Sequence, residues 1–481
     1  MVDTRLPVPL CVDLDGTLIR SDTLHEALLL LARESPRALP ALPLWLAGGK
    51  AKLKNLVAER VELHSQSLPY CEDVLSLIRE ARQQGRPVVL VTAAPARIAD
   101  SIAAELGLFD DVLTSNETIN LSRDRKAAEL LARYGAKGFD YVGNSADDLP
   151  VFEQCRRAFL VSSKQRLRRE AGRRNNDVTF VDRRTGGVRA WMKALRLHQW
   201  LKNLLIFVPL LASGRFREME LVSHAVLAFG SFSLFASAVY VMNDMVDLQS
   251  DRLHRTKRNR PFASGALPVA AGVAAVPLLV AASLGLALLI PPLFMVALFA
   301  YGVVTTLYSF ALKRQVIVDV MLLAGLYTMR ILAGSAATDI RPSFWLLAFS
   351  MFIFLCLAMT KRYSELRQAA DQDKTLSGRG YLPSDLPVVL ALGCASGFVS
   401  VVILALYTQS LIVPELYPAP EWIWLIPPLL LYWVARVWLK AGRGEIDDDP
   451  VLFAAKDRQS LAIAALAGIF FLLARTGLRP W

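Results

Sequence analysis

The sequence VMNDMVDLQSD, residues 241–251, closes a long apolar run with three acidic residues. Asp244, Asp247 and Asp251, which we call the aspartate cluster, are spaced i, i+3 and i+7, so on a helix they would share one face. Carboxylates at a membrane boundary repel one another, and a divalent cation relieves that repulsion. Mg²⁺ usually binds one or two carboxylates together with phosphate oxygens. The stretch therefore predicts a membrane-spanning helix that ends in a metal and phosphate site.

Basic residues follow the aspartate cluster directly. Arginine offers forked donors to phosphate, and lysine offers a point charge. Acids for a metal thus lie beside bases for phosphates, which is the combination that a Mg²⁺–diphosphate site requires. The six bases before Pro261 are Arg252, His254, Arg255, Lys257, Arg258 and Arg260.

Residues 196–481 contain nine long apolar runs, and most of them approach the ~20 residues that span a bilayer. We therefore predict an all-α polytopic membrane domain of nine transmembrane helices. Bases concentrate in alternate loops, which by the positive-inside rule places the N-terminus and the aspartate cluster in the cytosol and the C-terminus outside. The runs are 197–214, 220–242, 268–289, 291–311, 316–338, 343–363, 384–409, 422–440 and 460–477.

Residues 1–182 differ in pattern and predict a soluble α/β domain with a Rossmann-like parallel sheet. Strand-like apolar runs at Val8–Val12, Pro87–Val91 and Phe139–Val142 alternate with helical stretches, as in parallel sheets with crossover helices. A basic linker, 183–195, would join this domain to the membrane domain. Because no signal-peptide pattern precedes the first strand, we expect the domain in the cytosol.

The composition excludes several classes of protein. Hydrophobic residues make up 54% and charged residues 20% of the 481 residues, which excludes a disordered or collagen-like chain. The five cysteines form no CxxC pair and give no disulfide or metal pattern. The net charge is +11, and residues 156–189 hold 11 Lys/Arg against 3 Asp/Glu. Such a belt beside apolar segments predicts contact with anionic membrane lipids and no nucleic-acid partner.

The first apolar strand runs into a carboxylate pair, Asp13-Leu14-Asp15-Gly16-Thr17. Open α/β sheets hold their ligands at the carboxyl ends of the strands. There Asp13 could attack a phosphorus atom as a nucleophile, and Asp15 could protonate the leaving oxygen. The motif predicts catalysis of phosphoryl transfer by these two residues.

With this motif, the domain resembles the haloacid dehalogenase (HAD) phosphohydrolase superfamily over about residues 7–182. The resemblance implies that Thr92 and Lys126 bind the phosphoryl group as catalytic residues, that Mg²⁺ is the cofactor, and that the helical stretch Thr23–Gln84 forms a cap. Asn144 stands where that family usually has aspartate, so the domain is either an active phosphatase or a docking domain without turnover. The implied metal ligands are Asp13, Asp15, Asn144 and Asp148.

The pattern NDxxDxxxD, which starts at Asn243, and the predicted number of spans resemble the UbiA superfamily of intramembrane prenyltransferases. The resemblance covers residues 190–481. It implies that Asn243 and the whole aspartate cluster bind Mg²⁺, and that Asp244 and Asp247 are catalytic.

Further motifs support the same resemblance. Residues 196–203, RLHQWLKN, resemble the motif that opens the UbiA domain, and Tyr308 with Lys313 matches a later loop. Asp319 stands alone where the quinone-making members of the family carry a second Mg²⁺-binding aspartate cluster. The resemblance thus implies a departure from simple prenylation of an aromatic ring.

Three segments resemble the decaprenyl-phosphate phosphoribosyltransferase subfamily: KRNRP at 257–261, KRYSEL at 361–366 and DDDPVLFA at 447–454. That class moves 5-phosphoribose from phosphoribosyl diphosphate (PRPP) onto a polyprenyl phosphate. The product of that transfer carries a 5-phosphate on its ribose. From the fusion of the two domains we infer that the HAD-like domain could remove this phosphate, giving polyprenyl-phosphoryl ribose for cell-wall polymer synthesis. The implied substrate contacts are Lys202, Asn203, Lys257, Arg258, Arg260, Tyr308, Lys313, Lys361, Arg362 and Asp448.

Other functions remain open at this stage. An aromatic prenyltransferase of the quinone type would use a prenyl diphosphate, and a membrane-anchored phosphatase would use its helical half only as a lipid platform. A transporter would need charges deep within the spans, for which Arg330 is the main candidate. We expect a bacterial-type inner membrane with both active sites on the cytosolic side, and an oligomer is compatible with the sequence.

Overall fold

The computed structural model of the protein describes residues 7–115, 121–182, 186–370, 380–446 and 449–478. The chain divides into two compact units, Met1–Leu195 with Tyr240–Pro277, and Arg196–Val239 with Leu278–Trp481. The segment that carries the aspartate cluster therefore belongs to the same unit as the N-terminal region. The domain boundaries at residues 182 and 196 remain a prediction.

The N-terminal region contains a sheet of six parallel strands in the order β3-β2-β1-β4-β5-β6, which confirms the predicted parallel α/β fold. The three strands anticipated from apolar runs are β1, β2 and β4, which are neighbours in the middle of the sheet. Strands covered on both faces read as continuous apolar runs, whereas the edge strands β3 and β6 are only partly buried. The strands are β1 Leu10–Val12, β2 Val88–Pro95, β3 Asp111–Ser115, β4 Asp140–Gly143, β5 Ala158–Val161 and β6 Val178–Val181.

Helices cover both faces of this sheet. Alternate residues of β1 point to opposite faces, so Leu10 and Val12 pack in one apolar core and Cys11 packs in another. The stretch predicted as a cap is helical, with 3₁₀ turns at Pro36–Ala41 and Ser65–Ser67. The α-helices of this region are Thr23–Glu34, Leu42–Ala47, Lys50–Ala58, Glu72–Gln83, Ala96–Leu106, Asp124–Tyr134, Leu149–Gln154, Gln165–Arg174 and Gly187–Ala194.

Seven helices in the described part of the chain are long and apolar enough to cross a membrane, so the predicted count of nine is not confirmed. The first predicted span folds as a 3₁₀ helix, Leu197–Phe207, and a short helix, Val208–Ser213, with Pro209 in its first turn. The last predicted span is the helix Arg458–Leu473, whose 16 residues fall short of ~20. The seven are Met219–Val246, Val269–Ala287, Pro292–Ser309, Val318–Thr338, Phe344–Ala370, Pro383–Thr408 and Pro420–Arg443.

Small residues allow close packing among these helices. A Cβ atom on Gly334 would lie 2.0 Å from the carbonyl oxygen of Ile206, and one on Gly393 would lie 2.2 Å from the ring of Trp438. Membrane helices commonly approach through such residues, since apolar burial gives little drive for association inside lipid. The 3₁₀ helix that contains Lys202 and Asn203 is thereby held against the helix Val318–Thr338.

Candidate active sites

The first candidate site lies at the carboxyl ends of adjacent strands, and we call it the strand-end site. Asp13 and Asp15 follow β1, Thr92 lies in β2 and Asn144 follows β4, and these three strands are neighbours. Lys126 enters from the first turn of the helix Asp124–Tyr134. The structure thus brings together the residues that the sequence assigns to phosphoryl transfer, where an open α/β sheet holds its ligands.

Asp13 has the environment of a positioned nucleophile. Nζ of Lys126 lies 2.7 Å from its Oδ1, and the hydroxyl of Thr17 donates to its Oδ2 at 3.0 Å. Burial raises the pKa of Asp13 to about 6, although the Lys126 ammonium acts in the opposite direction. The carboxylate therefore ionises below neutral pH and has its charge neutralised by one fixed cation.

Asp15 has a different environment. Its carboxyl accepts hydrogen bonds from the backbone N–H and the hydroxyl of Thr23, at 2.7 and 3.2 Å. Burial, with the Asp22 carboxylate as a second cause, raises the pKa of Asp15 to about 7. A group of this pKa is available as an acid near neutral pH, which suits the proton-donor role expected of Asp15.

Asp148, a predicted metal ligand, shapes the loop after β4. Its Oδ2 accepts from the backbone N–H groups of Asn144 and Ser145 and from the Ser145 hydroxyl, each at 3.0 Å. Its Oδ1 accepts from the hydroxyl of Tyr141 at 2.8 Å. A Cβ atom on Gly143 would lie 2.7 Å from Cγ of Asp148, so the loop requires glycine there. The role of Asp148 in metal binding remains a prediction.

Lys54 is a residue of the strand-end site that the sequence analysis missed. It lies on the cap helix Lys50–Ala58, and its Nζ donates to the carbonyl of Ala93 at 2.7 Å. Burial lowers the pKa of Lys54, while the carboxylates of Asp15 and Asp22 act in the opposite direction. The sequence shows three lysines in this short helix and no signal for which of them faces the acids.

The second candidate site is the aspartate cluster. The long helix ends at Val246 and a short helix begins at Leu248, with Asp247 between them as N-cap, so the three acids do not lie on one unbroken helix as predicted. Asp244 and Asp251 nevertheless converge, because both accept from Nη1 of Arg260, at 3.0 and 2.6 Å. Burial raises the pKa of Asp251, although Arg260 acts in the opposite direction.

The donor chemistry of the aspartate cluster fits Mg²⁺. Two carboxylates within hydrogen-bonding distance of one atom can also be bridged by one divalent ion, with phosphate oxygens and water as its other ligands. Within the described residues, no group of three His, Cys, Asp or Glu side chains is arranged as a metal site. Asn243 and Asp247 are half-buried beside these acids.

Five further residues predicted to contact the substrate fall into two groups by exposure. Lys257 and Arg258 are exposed beside the aspartate cluster, and Tyr308, Lys313 and Lys361 are half-buried. Exposed bases beside buried acids are free to turn towards an incoming anion. The functional assignment of all five remains a prediction.

Lys202 forms an ion pair with Asp449, with 2.5 Å between Nζ and Oδ2. Burial opposes ionisation of Asp449, but the Lys202 ammonium outweighs it, so the pKa of Asp449 lies below its usual value. The other oxygen of Asp449 caps the helix Pro450–Lys456. The predicted contact Asp448 lies outside the described residues.

Asn203 has a structural environment. Its amide donates to the Ser233 hydroxyl at 2.9 Å, and its oxygen accepts from Nε of Arg330 at 2.8 Å. The guanidinium of Arg330 also lies 5.3 Å from the centre of the Tyr301 ring and 5.4 Å from that of Phe232. These contacts stabilise a cation inside the bundle and give no support to Arg330 as part of a transport pathway.

Asp319 and Arg362 form a sealed ion pair. Both side chains are fully buried, with 2.5 Å between Arg362 Nη2 and Asp319 Oδ2. The hydroxyl of Tyr381 donates to Asp319 at 2.7 Å, and Glu365 also pairs with Arg362. The predicted substrate contact through Arg362 remains untested, and this burial does not favour it.

An apolar cavity of about 410 Å³ lies in the same unit as Lys202 and Asp449. Leu201, the neighbour of Lys202 in the chain, and Val451, two residues after Asp449, are among its lining residues. Its lining residues are apolar apart from Ser460, which suits the hydrocarbon part of a ligand.

Residues 204–475 match the UbiA prenyltransferase family, and residues 10–153 match the haloacid dehalogenase-like hydrolases. The chain is 40% identical over 471 residues to an uncharacterized protein of Sinorhizobium fredii, covering 97% of this chain and 91% of that one. The chain belongs to the UbiA prenyltransferase family. It carries an N-terminal HAD-like domain, and both resemblances inferred from the motifs are confirmed.

Two further proteins are similar to parts of the chain. The decaprenyl-phosphate phosphoribosyltransferase of Mycobacterium tuberculosis is 38% identical over 182 residues, covering 37% of this chain and 60% of that one. A UbiA homolog from Archaeoglobus fulgidus, solved with GPP and Mg²⁺, is 16% identical over 59% of this chain and 98% of that chain, with a TM-score of 0.44. With seven long apolar helices among its described residues, this UbiA family member is a multi-pass membrane protein, and its two domains indicate an enzyme.

Proposed function

We propose that the membrane domain transfers 5-phosphoribose from PRPP to a polyprenyl phosphate, and that the HAD-like domain then removes the 5-phosphate. The observation that carries this proposal is the 38% identity over 182 residues to a decaprenyl-phosphate phosphoribosyltransferase. The geometry of the aspartate cluster and the burial of Asp319 support it independently.

The transfer step exchanges one bond at the anomeric carbon. The bond from C1 of the ribose to the diphosphate breaks, its electron pair leaves with the diphosphate, and C1 bonds to an oxygen of the lipid phosphate. Asp244 and Asp251 would hold Mg²⁺, which would neutralise charge on the leaving diphosphate. Arg260, Lys257 and Arg258 would bind phosphate oxygens directly, with Arg260 released from the carboxylates that it contacts.

The acceptor needs no strong base, since a phosphate monoester is already anionic. Lys202 would orient that phosphate, and Asp449 holds the Lys202 ammonium in place beforehand. The polyprenyl tail would occupy the apolar cavity that Leu201 and Val451 help to line. An amphiphilic acceptor therefore suits this part of the protein better than a small aromatic acid.

The second step would remove the 5-phosphate as inorganic phosphate. Asp13 attacks phosphorus, the P–O bond to C5 breaks, and Asp15 gives its proton to the leaving oxygen. Water then hydrolyses the aspartyl phosphate and regenerates Asp13. Lys126 and Thr92 would bind the phosphoryl oxygens, with Mg²⁺ sharing their charge. The product would be polyprenyl-phosphoryl ribose, a donor for cell-wall polymer synthesis.

The main rival is an aromatic prenyltransferase of the quinone type. That chemistry would use a second Mg²⁺-binding aspartate cluster, and the candidate residue Asp319 is fully buried against Arg362 and Tyr381. A phosphatase with an inert helical half is the other rival. The convergence of Asp244 and Asp251 on one cation in a membrane-boundary segment argues for a working site there.

The test is a comparison of donors in membranes that contain the full chain. Labelled PRPP with polyprenyl phosphate should give a labelled lipid in the presence of Mg²⁺, and labelled geranyl diphosphate with an aromatic acid should give none. Consumption of geranyl diphosphate alone would replace the proposal with the quinone-type function. Release of phosphate without labelled lipid in either arm would favour the membrane-anchored phosphatase.

We also propose the orientation. The HAD-like domain and both sites would face the cytosol of a bacterial-type inner membrane, where the soluble donor PRPP is present, and the C-terminus would lie outside. The basic residues near the apolar helices would contact anionic lipids. Single-cysteine labelling from either side of sealed vesicles tests this arrangement.

A further inference from the structure

A buried ion pair joins the cap helix Thr23–Glu34 to the segment that follows the aspartate cluster. Nη1 of Arg252 donates to Oε2 of Glu26 at 2.8 Å, and Nη2 donates to Oε1 at 2.7 Å. The side chains of Arg252 and Glu26 are 4% and 1% exposed, and both residues belong to the same compact unit. A two-point contact of this kind fixes orientation as well as charge.

Arg252 also braces the loop that holds the aspartate cluster together. Its Nε donates to the carbonyl of Ala263 at 3.0 Å, so the guanidinium ties the short helix Leu248–Leu253 to the turn after Arg260. Asp251, which precedes Arg252, pairs with Arg260 at 2.6 Å. The position of Arg252 therefore sets the spacing between an acid of the cluster and its cation.

The cap helix contacts this loop at further points. Nη1 of Arg33 donates to the carbonyl of Val246 at 3.3 Å, and Leu29 packs against the apolar cluster that includes Met245. One turn before Glu26, Thr23 donates two hydrogen bonds to Asp15 of the strand-end site. One turn of the cap helix therefore contacts both regions: Thr23 binds Asp15 of the strand-end site, and Glu26 binds Arg252 next to the aspartate cluster.

We propose that Glu26 is a positioning residue for the aspartate cluster. By fixing Arg252, it keeps Asp251 and Arg260 at the spacing at which the cluster binds a divalent cation and a diphosphate. Without Glu26, Arg252 would carry an uncompensated buried charge, and the neighbouring carboxylate of Asp251 would be recruited to neutralise it. This inference rests on the proposed function, since it takes the aspartate cluster as the metal site.

The experiment measures metal binding directly. Full-length protein is purified in detergent in an Asp13→Asn background, so that Mn²⁺ titration followed by electron paramagnetic resonance reports mainly on the aspartate cluster. Glu26→Gln should weaken Mn²⁺ binding by about tenfold or more, the usual effect of removing a partner that orients metal ligands. Glu34→Gln is the matched control, because it removes an exposed carboxylate from the same helix, and its Mn²⁺ affinity should match that of the parent.

A purely structural role would lower the melting temperature and leave the Mn²⁺ affinity of the folded protein unchanged, and that result would overturn the proposal. If Glu26→Gln does not fold, the Mn²⁺ affinity of the double variant Glu26→Gln with Arg252→Gln is measured instead, because that variant leaves no lone buried charge. Weakened Mn²⁺ binding again supports the proposal, and unchanged binding overturns it. Asp244→Asn in the same background tests whether the aspartate cluster is the metal site at all. If it binds Mn²⁺ as tightly as the parent, the aspartate cluster is not the metal site, and the proposed function fails together with this inference.

Discussion

Two Asp–Arg pairings in this chain use the same chemical groups in different surroundings. Asp319 and Arg362 are both fully buried, and the hydroxyl of Tyr381 and the carboxylate of Glu365 also contact the pair. Asp244 is also buried, but the side chain of its partner Arg260 is 26% exposed and is shared with Asp251. The first pairing is closed to solvent, whereas the second has a cation that an incoming ligand can reach.

The difference separates a structural acid from a candidate catalytic acid. A fully buried pair has already lost its hydration, and removing one member leaves an uncompensated charge, so breaking the pair destabilises the fold. A half-exposed arginine that bridges two carboxylates can instead move to a phosphate while a metal ion takes its place. Burial of the partner cation, rather than of the acid itself, therefore distinguishes the two.

Asp13 in the strand-end site is an exception to this distinction, and its substitution should have the largest effect on activity. Asp13 is paired with the buried cation Lys126, yet we propose it as the catalytic nucleophile because it follows β1 in a HAD-like domain. Asp13→Asn should reduce release of the 5-phosphate by roughly 10⁴-fold or more, as expected when a covalent nucleophile is lost, while lipid ribosylation continues. Mass analysis of the lipid product measures this, with the exposed Asp147→Asn as control.

The same measurement tests whether Asn144 has silenced the HAD-like domain. If wild-type protein never yields the dephosphorylated lipid, the domain has no turnover on this product, and a docking role replaces the two-step proposal.

Asp244→Asn tests the open pairing. We expect transfer to fall by roughly 10²–10³-fold, the range seen when one preorganised charge-stabilising group is removed, with folding retained because Arg260 keeps Asp251 as a partner. Initial rates with PRPP and melting curves of the purified variant measure the two effects. Glu220→Gln, an exposed change at the other end of the same helix, serves as control. A wild-type transfer rate in Asp244→Asn would show that Asp244 is not needed for catalysis.

The choice of donor tests whether the bases beside the aspartate cluster bind the 5-phosphate of PRPP. Each charge-assisted hydrogen bond to phosphate is worth roughly 1.5–3 kcal/mol, which corresponds to about 10- to 150-fold in affinity. Ribose 1-diphosphate lacks the 5-phosphate, so it should compete with labelled PRPP more weakly by that factor, and geranyl diphosphate should compete more weakly still. Equal competition by ribose 1-diphosphate would mean that no basic residue binds the 5-phosphate of PRPP.

Asp319→Asn should have the smallest effect on turnover. Breaking a fully buried ion pair costs about 3–5 kcal/mol of stability, so the melting temperature should fall while KM for PRPP in the folded fraction stays within about twofold. Asp339→Asn, at the exposed end of the same helix, should leave both unchanged. Loss of transfer at wild-type stability would instead make Asp319 a metal ligand and reverse the comparison.

The two fold classes and most candidate residues could be predicted from the amino-acid sequence. Central strands and membrane helices are continuous apolar runs, so β1, β2 and β4 and the seven long helices could be predicted from composition and length. The motif at Asp13 and the aspartate cluster could be located because their spacing is local. These features depend on neighbours in the chain and need no knowledge of long-range contacts.

Which charged residues form pairs, and with which partners, depends on the tertiary structure. The contacts of Asp319 with Arg362, of Glu26 with Arg252 and of Lys54 with the strand-end site join residues that are far apart in sequence. The break at Asp247 and the 3₁₀ geometry of residues 197–207 likewise leave no signal in the apolar content of the sequence. Whether a charge is sealed or reachable depends on what packs around it, and hydropathy along the chain does not carry that information.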